Sequence, residues 1–198
     1  MSQPWTHVAH SPAYPRVDEH YVEPEWVSER LFAMEVFSGK IWDPACGFGR
    51  IVVSALGAGY EAYGSDLVDR GWDSTTQDFF WYDYSHDNIV TNPPFNVARE
   101  FAGHALKRAR LKVAMIFPTA RLNAARWLEQ TPLRRIWLLT PRPSMPPGSH
   151  ILSGGKVGGG KSDYCWLVWR QGYEGAPEVR WLRRDKEINR DRQDNSAG

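Results

Sequence analysis

Four short stretches of this 198-residue chain carry side chains that could work on one ligand. Residues 90–96 read VTNPPFN, residues 43–50 DPACGFGR, residues 64–67 GSDL and residues 77–80 QDFF. In the first, two prolines with no N–H to donate follow an apolar run. IVTN therefore reads as a strand that stops, and PPF as a stiff turn at its carboxyl end. Asn92 brings an amide oxygen to that turn and Pro93 a carbonyl held by rigid Pro-Pro geometry, which are two acceptors and neither an acid nor a base. The carboxyl edge of an open α/β sheet is where ligands sit.

In DPACGFGR, Gly47 and Gly49 let the backbone turn and approach a ligand without a Cβ clash. The same two glycines also suit a tight turn that serves packing alone. The dinucleotide fingerprint is incomplete, because residue 52 is Val52, and Arg50 and Ile51 stand where a phosphate-binding loop needs Lys and Ser or Thr. Asp66 lies 17 residues beyond Gly49, close to the spacing at which a carboxylate accepts from ribose hydroxyls. A helix cap or turn would use it equally well. Asp78 could accept from an adenine amino group while Phe79 packs on the ring; a loop acid beside a core aromatic is the alternative.

The elements that must hold these stretches alternate. EPEWVSERLFAMEVF spaces Trp26, Val27, Leu31, Met34 and Phe37 at helical intervals, with Gly39 as its expected C-cap. KIWDP reads as a strand, RIVVSALGAG as a helix closed by Gly57 or Gly59, and YEAYGSDL and IVTN as strands. NVAREFAGHALKRAR reads as a helix, KVAMIFP as a strand buried on both faces, TARLNAARWLEQ as a helix, and RRIWLLTP and YCWLVW as strands. Alternation of this kind predicts an α/β fold, a Rossmann-like sheet that is mostly parallel with helices on both faces. The connection before YCWLVW has no helical pattern, so that last strand is expected to be antiparallel. Domain organisation reads as an extended arm at 1–20, one domain at 21–182 with a flexible loop at 142–162, and a charged, disordered tail at 183–198.

With DPACGFG, GSDL, QDFF and TNPPF in this order, the chain resembles the S-adenosylmethionine-dependent class I methyltransferases that act on exocyclic amino groups. It looks most like their NPPF-bearing DNA adenine-N6 branch, over roughly residues 20 to 170. The resemblance implies S-adenosyl-L-methionine as cofactor. Asp43, Ala45, Gly47 and Gly49 would line its methionine portion, Asp66 would hold the ribose, and Asp78 and Phe79 the adenine. YVEP at 21–24 looks like the segment that touches the methionine end, so Tyr21 and Pro24 join the cofactor set. Glu23 stands where that family usually has Thr. Asn92, Pro93, Pro94 and Phe95 would form the target site.

The chemistry of that site follows from the amine. Its lone pair is delocalised into the ring. Asn92 and the Pro93 carbonyl, accepting from its two N–H bonds, draw the nitrogen towards sp³ and free the pair. Both acceptors strengthen as positive charge builds on nitrogen, so they favour the transition state. Phe95 would stack on the base, worth about 1–3 kcal/mol, against a similar cost of extruding it from a duplex.

Composition bounds the rest. No apolar run reaches a membrane span of about 18 residues. The N-terminal residues lack the basic and apolar regions of a secretory signal, and two cysteines, Cys46 and Cys165, make no disulfide framework, so a cytoplasmic location is expected. The histidines are too scattered for a metal site. Residues 1–106 carry 6 Lys and Arg against 15 Asp and Glu, while residues 107–198 carry 18 against 8. DNA, or alternatively RNA, is the expected partner, gripped at phosphates by Arg121, Arg142, Lys156 and Lys161; no protein partner is required. Methylation of RNA adenine or protein glutamine, or an inert module that only binds nucleic acid, are the alternatives.

Overall fold

Residues 20–184 are described by a computed structural model of the chain. The expected arm up to residue 19 and tail from residue 185 lie outside the described residues. Eight strands form one sheet: β1 (Ile41–Asp43), β2 (Ala62–Asp66), β3 (Thr75–Thr76), β4 (His86–Thr91), β5 (Ala109–Pro118), β6 (Leu133–Thr140), β7 (Tyr164–Arg170) and β8 (Glu178–Arg183). Their order is β3-β2-β1-β4-β5-β7-β6-β8. β7 runs antiparallel to both its neighbours, and the other pairings are parallel.

The strand expected to be antiparallel and last is thus antiparallel but not last. β8 follows it, pairs with β6 in parallel, and carries the domain through Arg183, one residue past the expected boundary. EVRWLR gives no clean alternation, because only Leu182 is buried. The pairing with β6 makes it a strand.

Each face of the sheet has its own core. Alternate residues of β5 and β7 point to opposite sides: Val113, Met115, Leu167 and Trp169 to one, Ala114, Ile116, Trp166 and Val168 to the other. On the second face lie α1 (Glu25–Met34) and α2 (Arg50–Gly57), through Val27, Leu31, Ile51 and Ala55. On the first lies α3 (Ala98–Arg108), through Phe101, Ala102 and Ala105. Buried indoles are tied by their N–H groups as well as by area: Trp166 donates to the Val27 carbonyl at 3.0 Å and Trp42 to Ser65 Oγ at 3.0 Å.

Three local expectations change. α1 stops at Met34, not at Gly39, because Glu35 turns extended and enters a buried ion pair. Gly39, at φ 80°, instead makes room for the Asp87 carboxylate. Met34 is exposed. The segment expected as one helix is two 3₁₀ turns, Thr119–Ala124 and Arg126–Gln130. It must carry the chain back from the carboxyl end of β5 to the amino end of β6. A rise of about 2.0 Å per residue covers that span better than about 1.5 Å. The loop 142–162 contains a short helix, α4 (Gly148–Leu152), where no helical pattern is legible.

Candidate active site

The chain leaves β1 for β2 and β3 on one side of the sheet, then returns to build β4 and β5 on the other. The crevice at the carboxyl ends of β1 and β4 is the switch point of that winding. A cavity of about 210 Å³ opens there. Asp43 at the end of β1, Asp66 at the end of β2, and Asn92 and Pro93 just past β4 all line it, with Ala45, Gly47, Pro94, Tyr21, Asp78 and Phe79. The structure therefore gathers ten of the thirteen expected cofactor and target residues around one space.

Gly49, Pro24 and Phe95 are not among the lining residues. Gly49 is the N-cap of α2 at φ 76°, and the room left by its missing Cβ is taken by the Trp72 indole. Pro24 caps α1, its carbonyl accepting from Val27 N–H at 3.0 Å. Phe95 is 7% exposed, stacked 6.1 Å from Tyr21 at 11° and tilted at 32° against Tyr164 at 5.6 Å. Phe79 lines the cavity and is stacked 4.2 Å from Phe101, which lines it too.

Hydrogen bonds set the loop geometry. Asp43 Oδ1 accepts from Ala45 N–H at 3.1 Å. Asp66 accepts from Gly47 N–H at 2.8 Å and Val68 N–H at 3.0 Å, with Arg70 3.4 Å away, so it ties the glycine loop to β2. Asp78 accepts from Phe80 N–H at 3.0 Å and caps the turn Phe79–Trp81.

Asn92 is held differently. Its Nδ2 donates to the Tyr21 carbonyl at 2.9 Å and to Glu23 Oε2 at 2.9 Å. Two acceptors at that end fix which end is nitrogen. Oδ1 is left buried with no hydrogen-bond partner among the described residues. A buried acceptor without a partner costs free energy unless a ligand supplies a donor.

Carboxylates dominate the electrostatics. Burial raises the Glu23 carboxyl above its ordinary value and raises Asp43 well above. Neighbouring Glu23 and Asp66 push Asp43 further in the same direction. Burial also pushes the Cys46 thiol up to about 12, which disfavours its reactive thiolate form. No cluster that could hold a metal ion occurs among the described residues.

Sequence reasoning missed Glu23 as a contact, Arg50, whose Nη1 donates to the Glu23 carbonyl at 2.9 Å, and His20. The His20 imidazole fills the space beside Gly47 and beside Gly148, edge-on to Phe48 at 4.7 Å. Glu23 lies within the YVEP segment singled out above, and the acid itself was the signal. Of the basic residues, Arg121 donates from Nη1 to the Phe95 carbonyl at 2.8 Å and so sits at the NPPF turn. Arg142 is paired with Asp163 at 2.7 Å, and Lys156 and Lys161 are exposed on the loop after β6.

No protein-family model and no curated protein matches the chain by sequence. Solved structures match by shape. The chain is similar to the methyltransferase subunit of a type I restriction-modification system from Streptococcus thermophilus (TM-score 0.58, 11% identity, 85% of this chain and 48% of that one). It is similar to the M protein of the type I restriction enzyme EcoKI (TM-score 0.56, 13% identity, 85% and 49%). It is also similar to a Pyrococcus horikoshii protein whose assignment as an RNA methyltransferase is provisional (TM-score 0.57, 14% identity, 73% and 81%). The chain spans about half the length of the two restriction-system proteins. The fold is that of the Rossmann-like class I methyltransferases.

Proposed function

We propose that this chain transfers a methyl group from S-adenosyl-L-methionine to an exocyclic amino nitrogen, with adenine N6 of DNA as the favoured target. One observation carries the reading: Asn92 is pinned by its nitrogen end, and its oxygen is a buried acceptor awaiting a donor. An amino group is a donor that needs such an acceptor.

The cavity fits the cofactor. Glu23, Asp43, Asp66 and Asp78 line it. An organic cation suits such a lining, and the cofactor is one through its sulfonium and ammonium groups. When bound, it supplies an electrophilic methyl group. Asp43, Ala45 and Gly47 would face its methionine portion, Asp66 its ribose, and Asp78 with the aromatic pair Phe79 and Phe80 its adenine. Tyr21 would touch its methionine end. Pro24 and Gly49 would act behind the cavity wall, one starting α1 and the other α2.

At the target side, Asn92 Oδ1 and the Pro93 carbonyl accept from the two N–H bonds of the amine, and Pro94 keeps the turn stiff. Phe95 is covered by Tyr21 and Tyr164, so the accessible face of that aromatic stack belongs to Tyr21, which is 37% exposed. In this arrangement Tyr21 is the base platform and Phe95 its backing. Arg121, Lys156 and Lys161 would hold the nucleic-acid backbone.

Mass spectrometry of nucleosides from DNA incubated with protein and cofactor tests the proposal. N6-methyladenine should form, and Asn92→Ala should lower its rate by about 10²-fold or more, as for loss of one preorganised transition-state hydrogen bond. Radiolabel entering RNA or protein but not DNA would move the target to RNA adenine or glutamine. No transfer and no cofactor binding would leave an inert module and defeat the reading.

A further inference from the structure

We infer that Glu23 is the positioning residue of the transfer step: with the Tyr21 carbonyl, its carboxylate locks the Asn92 amide so that oxygen, not nitrogen, meets the substrate. The inference rests on the function proposed above and adds a residue to it.

The two ends of an asparagine amide are nearly the same size and opposite in hydrogen bonding. Turned over, Asn92 would present N–H groups to an amine that is itself a donor, and the site would repel its substrate. Here the turned-over state is penalised at the other end. Its oxygen would face the Tyr21 carbonyl and Glu23 Oε2, each now accepting from Nδ2 at 2.9 Å. Glu23 is the stronger of the two, because a hydrogen bond to an ionised group is roughly twice as strong as a neutral one. It is also the only one set by a side chain.

The location of the acid supports the assignment. Glu23 is 6% exposed, and burial raises its carboxyl. A carboxylate that deep is costly unless something requires it. Among the described residues its side chain meets Asn92 Nδ2 and the Arg50 charge at the start of α2. Arg50 also holds the Glu23 backbone at 2.9 Å. The acid thus connects the helix that follows the glycine loop to the amide of the target site. Acceptance of an N–H by a carboxylate also polarises the amide, which makes Oδ1 a better acceptor as charge builds on the amine.

The test compares Glu23→Ala, which removes the acceptor, with Glu23→Gln, which retains one. Glu23→Ala should lower kcat by about tenfold or more with the KM for cofactor unchanged within about threefold, and Glu23→Gln should recover most of the loss. Nitrogen-edited NMR gives a readout independent of turnover. The Asn92 side-chain NH₂ pair, identified by its disappearance in Asn92→Asp, should be displaced from free-amide positions and slow to exchange with water. It should return to free-amide behaviour in Glu23→Ala and stay close to wild type in Glu23→Gln. Unmoved Asn92 signals in Glu23→Ala, or equal losses in both variants with cofactor KM rising in step, would overturn the inference. If the wild type methylates no nucleic acid, the proposed function fails while the NMR comparison still decides the role of Glu23. If Glu23→Ala does not fold, the wild-type signals decide: free-amide positions and fast exchange in a folded protein would refute the lock.

Discussion

Glu35 shows what a buried acid does when its partners are cations and not a ligand. It is 3% exposed; Lys112 Nζ lies 3.0 Å from one oxygen, and Arg135 and the Trp137 N–H, at 3.0 Å, meet the other. Burial works to raise its carboxyl, but Lys112, Trp137 and Arg135 outweigh burial and hold it below its ordinary value. A carboxyl depressed by folding stabilises the fold above its unfolded pKa and loses that contribution as pH falls through its folded one. Glu35→Gln should therefore cost about 3 kcal/mol at pH 7 by urea unfolding, leaving buried cations short of a partner, and the deficit should shrink on acidification. A constant deficit down to pH 3 would refute the account. Glu23 and Asp43 have the opposite sign. Burial raises both, so their contribution to folding is present below the unfolded pKa and lost as pH rises through the raised values. A bound cation favours the ionised form of Asp43, the more strongly raised of the two. Cofactor binding should release protons, and affinity should climb with pH across that window, as calorimetry in buffers of different ionisation enthalpy would show. Proton uptake would contradict a cationic ligand here. Asn92, Asp43 and Asp66 were legible as residues of the crevice because their chemistry and their place at the end of a strand are both written locally. Gly49 was not, because a glycine that makes room for a ligand and one that makes room for Trp72, 23 residues on, look alike in sequence.

Segment 20–23 works as a strap between two loops. Tyr21 bridges Pro147, the Gly148 N–H donates to the His20 carbonyl at 2.8 Å, and the Val22 N–H donates to the Pro146 carbonyl at 2.9 Å. The strap carries Tyr21 and Glu23 to Asn92, so the loop after β6 is mechanically joined to the amide. Gly148→Val would drive a Cβ into the His20 ring and displace the strap. Cofactor affinity should fall by about tenfold or about 1.4 kcal/mol, while the melting temperature changes by only a few degrees, because the two cores are untouched. Unchanged affinity by calorimetry would show that the strap is not part of the site. No sequence pattern announces it, since it forms through backbone bonds between segments more than 120 residues apart. The same limit hid β8 and the 3₁₀ character of 119–130. Apolar periodicity records what a segment buries, and these elements are defined by what they pair with or must span. The strands β1, β4, β5 and β7 were legible because burial on both faces leaves near-continuous apolar runs.

Across the whole molecule, charge is sorted by chain half, 6 cations to 15 acids before residue 107 and 18 to 8 after it. The acids that line the crevice, Glu23, Asp43 and Asp66 among them, come from the first half, and the basic residues proposed to meet a polyanion, Arg121, Lys156 and Lys161, come from the second. A cation and a polyanion would thus be drawn to adjacent sites without competing. Phosphate contacts release counterions, so the logarithm of DNA affinity should fall linearly with the logarithm of salt, by about 0.9 per phosphate neutralised. The basic residues differ in what they already meet. Arg142 is paired with Asp163 at 2.7 Å; Lys156 and Lys161 are exposed. Lys156→Ala with Lys161→Ala should reduce the slope by about 2, and Arg142→Ala should leave it nearly unchanged. Fluorescence anisotropy with a labelled duplex across a salt series measures both. A full-size loss from Arg142→Ala, with none from the lysine pair, would mean that the Asp163 pair opens on binding and that the DNA path crosses the base of the loop and not its tip.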